Sequence, residues 1–154
     1  MCCKANAAKN QLLNHFRYIL AKRETEHWSR LFDLLVPSNQ SWVKNAGALM
    51  ILISHKIFDH NGKPSNTHSF DAGAAWENLA LEGSAKGLVV HCMQGFDYAK
   101  AKSTCNIPDD YQVEALVAVG KPGPKEALDP DTQKREFPSG RKPLSELIFH
   151  GTFS

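Results

Sequence analysis

Residues 71–97, "DAGAAWENLALEGSAKGLVVHCMQGFD", decide the fold. Small and apolar residues recur at helical spacing: Ala72, Ala75, Trp76, Leu79 and Gly83 fall on one stripe, with Gly73, Ala74 and Ala80 beside it. Ser69 is placed to cap such a helix and Gly87 to end it, which predicts a helix over 70–86. Two glycines inside a helix cost about 1 kcal/mol each against alanine. Another backbone must therefore come close, either the protein's own sheet or a second subunit. Beyond Gly87, the run Leu88-Val89-Val90 leads through His91 and Cys92 to Met93 as a third strand, then breaks at Gln94-Gly95-Phe96-Asp97. A thioether, a carboxamide and a glycine meet at the end of that strand, and something must lie against the backbone there.

Outward from this stretch the elements alternate. "HFRYILAK" (15–22) reads as a strand with Phe16, Tyr18 and Leu20 on one face. "EHWSRLFDLL" places Trp28, Leu31, Phe32 and Leu35 at helical spacing, with Pro37 as its stop. "SNQSWVKNA" reads as a capped turn into a short helix, and "ALMILIS" (48–54) as a central strand, apolar on both faces. Residues 55–68 form a polar loop, "DYAKAKST" a short helix, and "YQVEALVAVG" (111–120) a fourth strand. Residues 121–142, rich in proline and charge, read as an irregular excursion before an apolar tail. The expectation is one α+β domain over 1–154: a mainly antiparallel sheet of about four strands flanked by helices.

Composition excludes several functions. Eighteen Lys and Arg against 16 Asp and Glu leave a net charge of +2. No basic run is long enough to follow a phosphate backbone, so nucleic acid is not the expected partner. No apolar run reaches the roughly 20 residues of a membrane helix. Cys2 and Cys3 are adjacent while Cys92 and Cys105 stand alone, which is no disulfide framework and points to a reducing cytoplasmic setting.

Candidate catalytic motifs fail on spacing. His55, His60 and His68 are too far apart along one loop for a zinc site and read as solvated histidines. His91 and Cys92 point to opposite faces of a strand. "GKPGPK" (120–125) lacks the ending of a phosphate loop, and its prolines remove amide donors. No Ser-His-Asp or paired-carboxylate pattern stands out, so neither a metal nor a catalytic side chain is assigned. An enzyme built this way would draw its chemistry from a cofactor.

The blocks "FRYILA", "LFDLLVPSNQSWVKNAGALMILIS", residues 71–97, "IPDDYQVEALVAVGKPG" and "RKPLSELIFHGTF" occur in the order and at the separations of the nitroreductase family, which the chain resembles from about residue 14 onward. The resemblance implies an α+β fold that dimerises through the long helix. It further implies FMN at the dimer interface, and NAD(P)H as the donor for nitroaromatics, quinones or similar acceptors. It places Met93, Gln94 and Gly95 along the flavin ring, with the Gly95 amide near N5. A glycine suits that place because a missing side chain lets backbone approach a flat ring. Asn39 matches a family asparagine that hydrogen-bonds the flavin. Arg141 matches the basic residue at the FMN phosphate, where a guanidinium fork fits well, and Lys142 stands beside it.

The departures count as well. The family's N-terminal R-x-S-x-R pattern has no counterpart, since the chain opens "MCCKANAAKNQ". The family's S-x-x-N-x-Q-P-W segment falls on "KNQLLNHF", with Leu12, Asn14, His15 and Phe16 at its signature positions. Asn10 is the residue there that could recover a hydrogen bond. Weak FMN binding is therefore expected. The alternatives are a shortened, flavin-free family member acting as a dimeric scaffold, and a small-ligand or protein-binding module.

Overall fold

The computed structural model describes residues 15–153. The chain divides into two units, Met1–Pro122 and Gly123–Ser154. In the first, β1 (Phe16–Lys22), β2 (Ala48–His55), β3 (Val89–Met93) and β4 (Tyr111–Gly120) form one sheet in the order β1-β2-β4-β3, every pair antiparallel. The helices are α1 (His27–Phe32), α2 (Pro37–Val43), α3 (His68–Ala85) and α4 (Tyr98–Thr104). The α+β class and the four strands agree with the sequence, and the doubly apolar β2 is indeed interior.

The sheet's two faces are covered differently. On one, Leu49, Ile51 and Ile53 of β2 and Leu116 and Ala118 of β4 form a continuous core with Leu31, Leu34, Leu35, Val43, Phe96, Ala101 and Ile107. That hydrocarbon layer holds α1, α2 and α4 in place. The other face receives α3, which packs on β1, β2 and β3. Ala72 and Gly83 are its buried residues. A Cβ on Gly83 would collide with Cγ2 of Val90, so this glycine admits the protein's own strand. Gly73 has nothing within 4 Å of such a Cβ and lies on the outward side with Phe70 and Leu81, which are 78% and 59% exposed. The two helix glycines thus answer different demands. Gly87, at φ +70°, ends α3 as expected: its N–H donates to Ser84 O at 3.0 Å, and the Leu88 N–H donates to Gly83 O at 2.8 Å. That pair of bonds closes a Schellman cap.

Three local expectations need correction. The helix through Leu35 stops at Phe32, and Pro37 opens α2 instead of ending α1, as proline's fixed φ and missing N–H allow at a first helical position. Ser69 lies inside α3 rather than capping it, because the helix begins at His68. The excursion over 121–142 contains α5 (Pro130–Arg135) in the second unit. Asp129 caps it by accepting the Asp131 and Thr132 N–H groups at 3.1 and 3.0 Å.

Candidate functional site

β3 leaves the sheet at Met93, and residues 93–97 fold against the start of α2. Met93 is 4% exposed and its side chain belongs to the core, which leaves the main chain for a ligand. The next residue, Gln94, is exposed. Gly95 O accepts two hydrogen bonds, from the Val36 N–H at 3.0 Å and from Asn39 Nδ2 at 3.1 Å. Phe96 is buried and bridges Leu35. The Asp97 N–H donates to Leu34 O at 2.9 Å, and the Asp97 carboxylate caps α4 by accepting the Lys100 N–H at 2.9 Å. The turn is thus fastened on both sides of Gly95. The Gly95 N–H has no hydrogen-bond partner among the described residues.

Asn39 and Gly95 are 56 residues apart in sequence, and the fold brings them into contact. Each was singled out separately in the sequence. Sequence reasoning missed Val36, whose contribution is a main-chain N–H that carries no signature. Arg141 lies in the second unit, where its guanidinium donates to Ser139 Oγ at 2.8 Å and Ser139 O at 3.1 Å. Lys142 pairs there with Glu146 at 3.4 Å. Asn10 lies outside the described residues.

Two ionisable groups near the turn, Cys92 and Tyr98, are shifted toward their neutral forms. Burial pushes the Cys92 thiol up from its ordinary value, which keeps it protonated and a poor nucleophile. Tyr98, stacked on Phe96 with centroids 4.1 Å apart, is also raised, by burial first and then by Cys92 and Glu114. Among the described residues no group of three His, Cys, Asp or Glu side chains could hold a metal ion.

Contrary to the expectation from the loop's composition, His55 and His68 are not solvated. His55 is 7% exposed, stacked on Tyr111, with ring nitrogens 2.8 Å from Asp59 and 2.9 Å from Asp110. His68 Nδ1 is 2.7 Å from Ser54 Oγ, and Ser54 also donates to Glu114. The arrangement is not a catalytic triad. With its one proton given to Glu114, Ser54 accepts from the His68 ring, so the imidazole does not serve it as a base. Ser54 is also fully buried. A β-bulge explains the meeting. Leu52 pairs with Ala115 and Ile53 with Val113, and Glu114 is the extra residue, re-aimed toward the start of α3. Ser69 donates to the same carboxylate at 2.7 Å. These contacts pin α3 to the sheet, and nothing in the sequence spacing marks them.

This combination of a four-stranded antiparallel sheet, a long helix on one face and a glycine turn held open at the end of β3 is that of a nitroreductase-type α+β protein. Residues 4–121 match the model of the nitroreductase family, and the chain belongs to that family. A crystal structure of an oxidoreductase containing FMN is 40% identical and superposes with a TM-score of 0.85, over 96% of this chain and 75% of its own. A nitroreductase family protein from Streptococcus pneumoniae TIGR4 superposes with a TM-score of 0.65 at 19% identity, over 88% of this chain and 78% of its own. The FMN and NADPH-dependent nitroreductase NfnB from Sphigopyxis sp. strain HMH gives 0.63 at 12% identity, over 90% and 80%. At those two identities the likeness is one of fold. A 15.4 kDa protein from the ask 5' region of Mycolicibacterium smegmatis is 30% identical over 127 residues, 82% of this chain and 84% of that protein.

Proposed function

We propose that this protein is an FMN-dependent oxidoreductase that draws electrons from NAD(P)H and passes them to nitroaromatics, quinones or similar small acceptors. The observation that carries the reading is the Asn39–Gly95 contact, which fixes a turn whose Gly95 N–H has no hydrogen-bond partner among the described residues. FMN supplies the hydride chemistry when bound, which accounts for a site without an acid–base pair. The chain's own part is to present the Gly95 N–H, the Asn39 carbonyl and the exposed Gln94 carboxamide as neutral hydrogen-bonding groups. Arg141 is assigned to the phosphate, with Lys142 beside it and Asn10 as a further contact. The 40% identical relative that contains FMN supports the cofactor.

The reading includes a homodimer formed through α3, a single family domain over 1–154 and a cytoplasmic setting. No helix among the described residues is long and apolar enough to cross a membrane. The outward residues Phe70, Gly73 and Leu81 are the ones a second subunit would cover. Leu81→Glu should then convert a sedimenting dimer to monomer, and a wild-type monomer at micromolar concentration would exclude the dimer.

The cofactor test is a fluorescence titration of FMN and riboflavin, followed by NAD(P)H oxidation with a quinone or nitroaromatic acceptor. Arg141→Ala should weaken FMN by about ten- to a hundred-fold and leave riboflavin, which has no phosphate, unchanged. An equal loss for both ligands would make Arg141 structural. A parent protein that binds neither flavin would favour the flavin-free scaffold.

A further inference from the structure

We infer that Asn39 is a positioning residue that sets the Gly95 peptide for the flavin, and that residue 95 is glycine on account of Asn39 and not of the ligand. Gly95 is not among the residues with positive φ, so its conformation is open to any L-residue. Space is what excludes a side chain. A Cβ built on Gly95 would lie 2.5 Å from Asn39 Nδ2 and 3.0 Å from Val36 Cγ2. The side of Gly95 that a side chain would occupy is therefore filled by the protein itself, and a flat ring has to approach from elsewhere on the turn. The same Asn39 amide donates to Gly95 O at 3.1 Å, alongside the Val36 N–H at 3.0 Å. Two donors on one carbonyl fix the orientation of the turn that carries the free Gly95 N–H. A methyl group at 95 would push the Asn39 amide out of its bond, so Gly95→Ala and Asn39→Ala disturb one and the same contact.

The ligand in this inference is the one proposed above, and the test separates the two ideas. The parent, Asn39→Ala, Gly95→Ala and the double variant form a double-mutant cycle, in which shared contacts appear as non-additivity. Without flavin, each single variant should melt about 2–4 °C below the parent, and the double variant no lower than Asn39→Ala. With flavin, each single variant should bind FMN about tenfold more weakly, and adding Gly95→Ala to Asn39→Ala should cost no further affinity. The midpoint potential of the bound flavin should also move in Asn39→Ala, a change that a purely structural residue would not produce. Additive melting losses overturn the coupling. A Gly95→Ala penalty on FMN undiminished in the Asn39→Ala background shows that the glycine serves the ring, and an unmoved potential shows that Asn39 only supports the fold. If the parent binds no FMN, the functional reading and the positioning role fall together, while the melting cycle still decides whether Asn39 dictates the glycine.

Discussion

The two ends of β3 each meet a glycine whose missing side chain is filled by the protein. Before the strand, Gly83 of α3 admits the Val90 side chain; after it, Gly95 admits the Asn39 amide. The first contact is hydrocarbon on a buried helix position and serves packing alone. The second is polar, half-buried, and carries a hydrogen bond to the glycine's own carbonyl. One absence of a side chain builds scaffold and the other builds a site, and the difference lies wholly in what enters the space. An intruding methyl strains a close-packed layer in the first case and merely displaces a short amide in the second.

The comparison breaks most severely at Gly83→Leu. A leucine there has no room beside Val90, and overpacking of this kind costs about 1–3 kcal/mol or more. Urea denaturation should show that loss in the protein whatever its oligomeric state. A dimer that dissociates with no loss of monomer stability would move Gly83 to the subunit interface. Ser54→Ala should follow closely, because it strips the Glu114 carboxylate and the His68 ring of a buried partner, at about 1–3 kcal/mol by the same measurement. Stability unchanged in that variant would mean that the bulge alone anchors α3.

Gly73→Ala sharpens the comparison from the other direction. Nothing lies within 4 Å of a Cβ there, so in the monomer alanine should stabilise α3 by up to about 1 kcal/mol. If the outward face of α3 is packed against a second subunit, the same change should weaken that association, which sedimentation reads directly. The smallest effect expected is at α5. Thr132 and the Asp131 N–H hold the Asp129 carboxyl below its ordinary value by hydrogen bonding, the Thr132 bonds foremost. A lowered folded-state value contributes stability that is present above the ordinary carboxylate range near 3.9 and is lost as pH falls through the folded value. Helical order at 130–135, followed by NMR, should thus decline on acidification, and Asp129→Ala should remove that dependence.

Much of the fold was legible in the sequence because it depends on periodicity. The alternation in 111–120, the doubly apolar run over 48–54 and the small-residue stripe over 72–83 are local patterns that a sheet or helix imposes. Helix ends were less legible. Pro37 is compatible with ending one helix or opening the next, and only the packing of Leu34 and Leu35 into the core decides for the second. The histidines misled for a related reason. A loop rich in Asp, Asn and Gly reads as solvated, yet His55 and His68 sit at its two ends, where they already belong to β2 and α3.

By itself the sequence determined the class of the fold, the four strands, the family and the separate candidacy of Asn39 and Gly95, since each rests on residue type, on order along the chain or on a period of two or 3.6. Only the tertiary structure decided that Gly83 faces its own sheet, that a bulge carries Glu114 to Ser54 and His68, and that Asn39 occupies the space Gly95 leaves open. Those outcomes depend on register and on distances of a few ångströms between residues far apart in sequence. A one-residue slip in strand pairing would turn each side chain to the opposite face, and composition records no such slip.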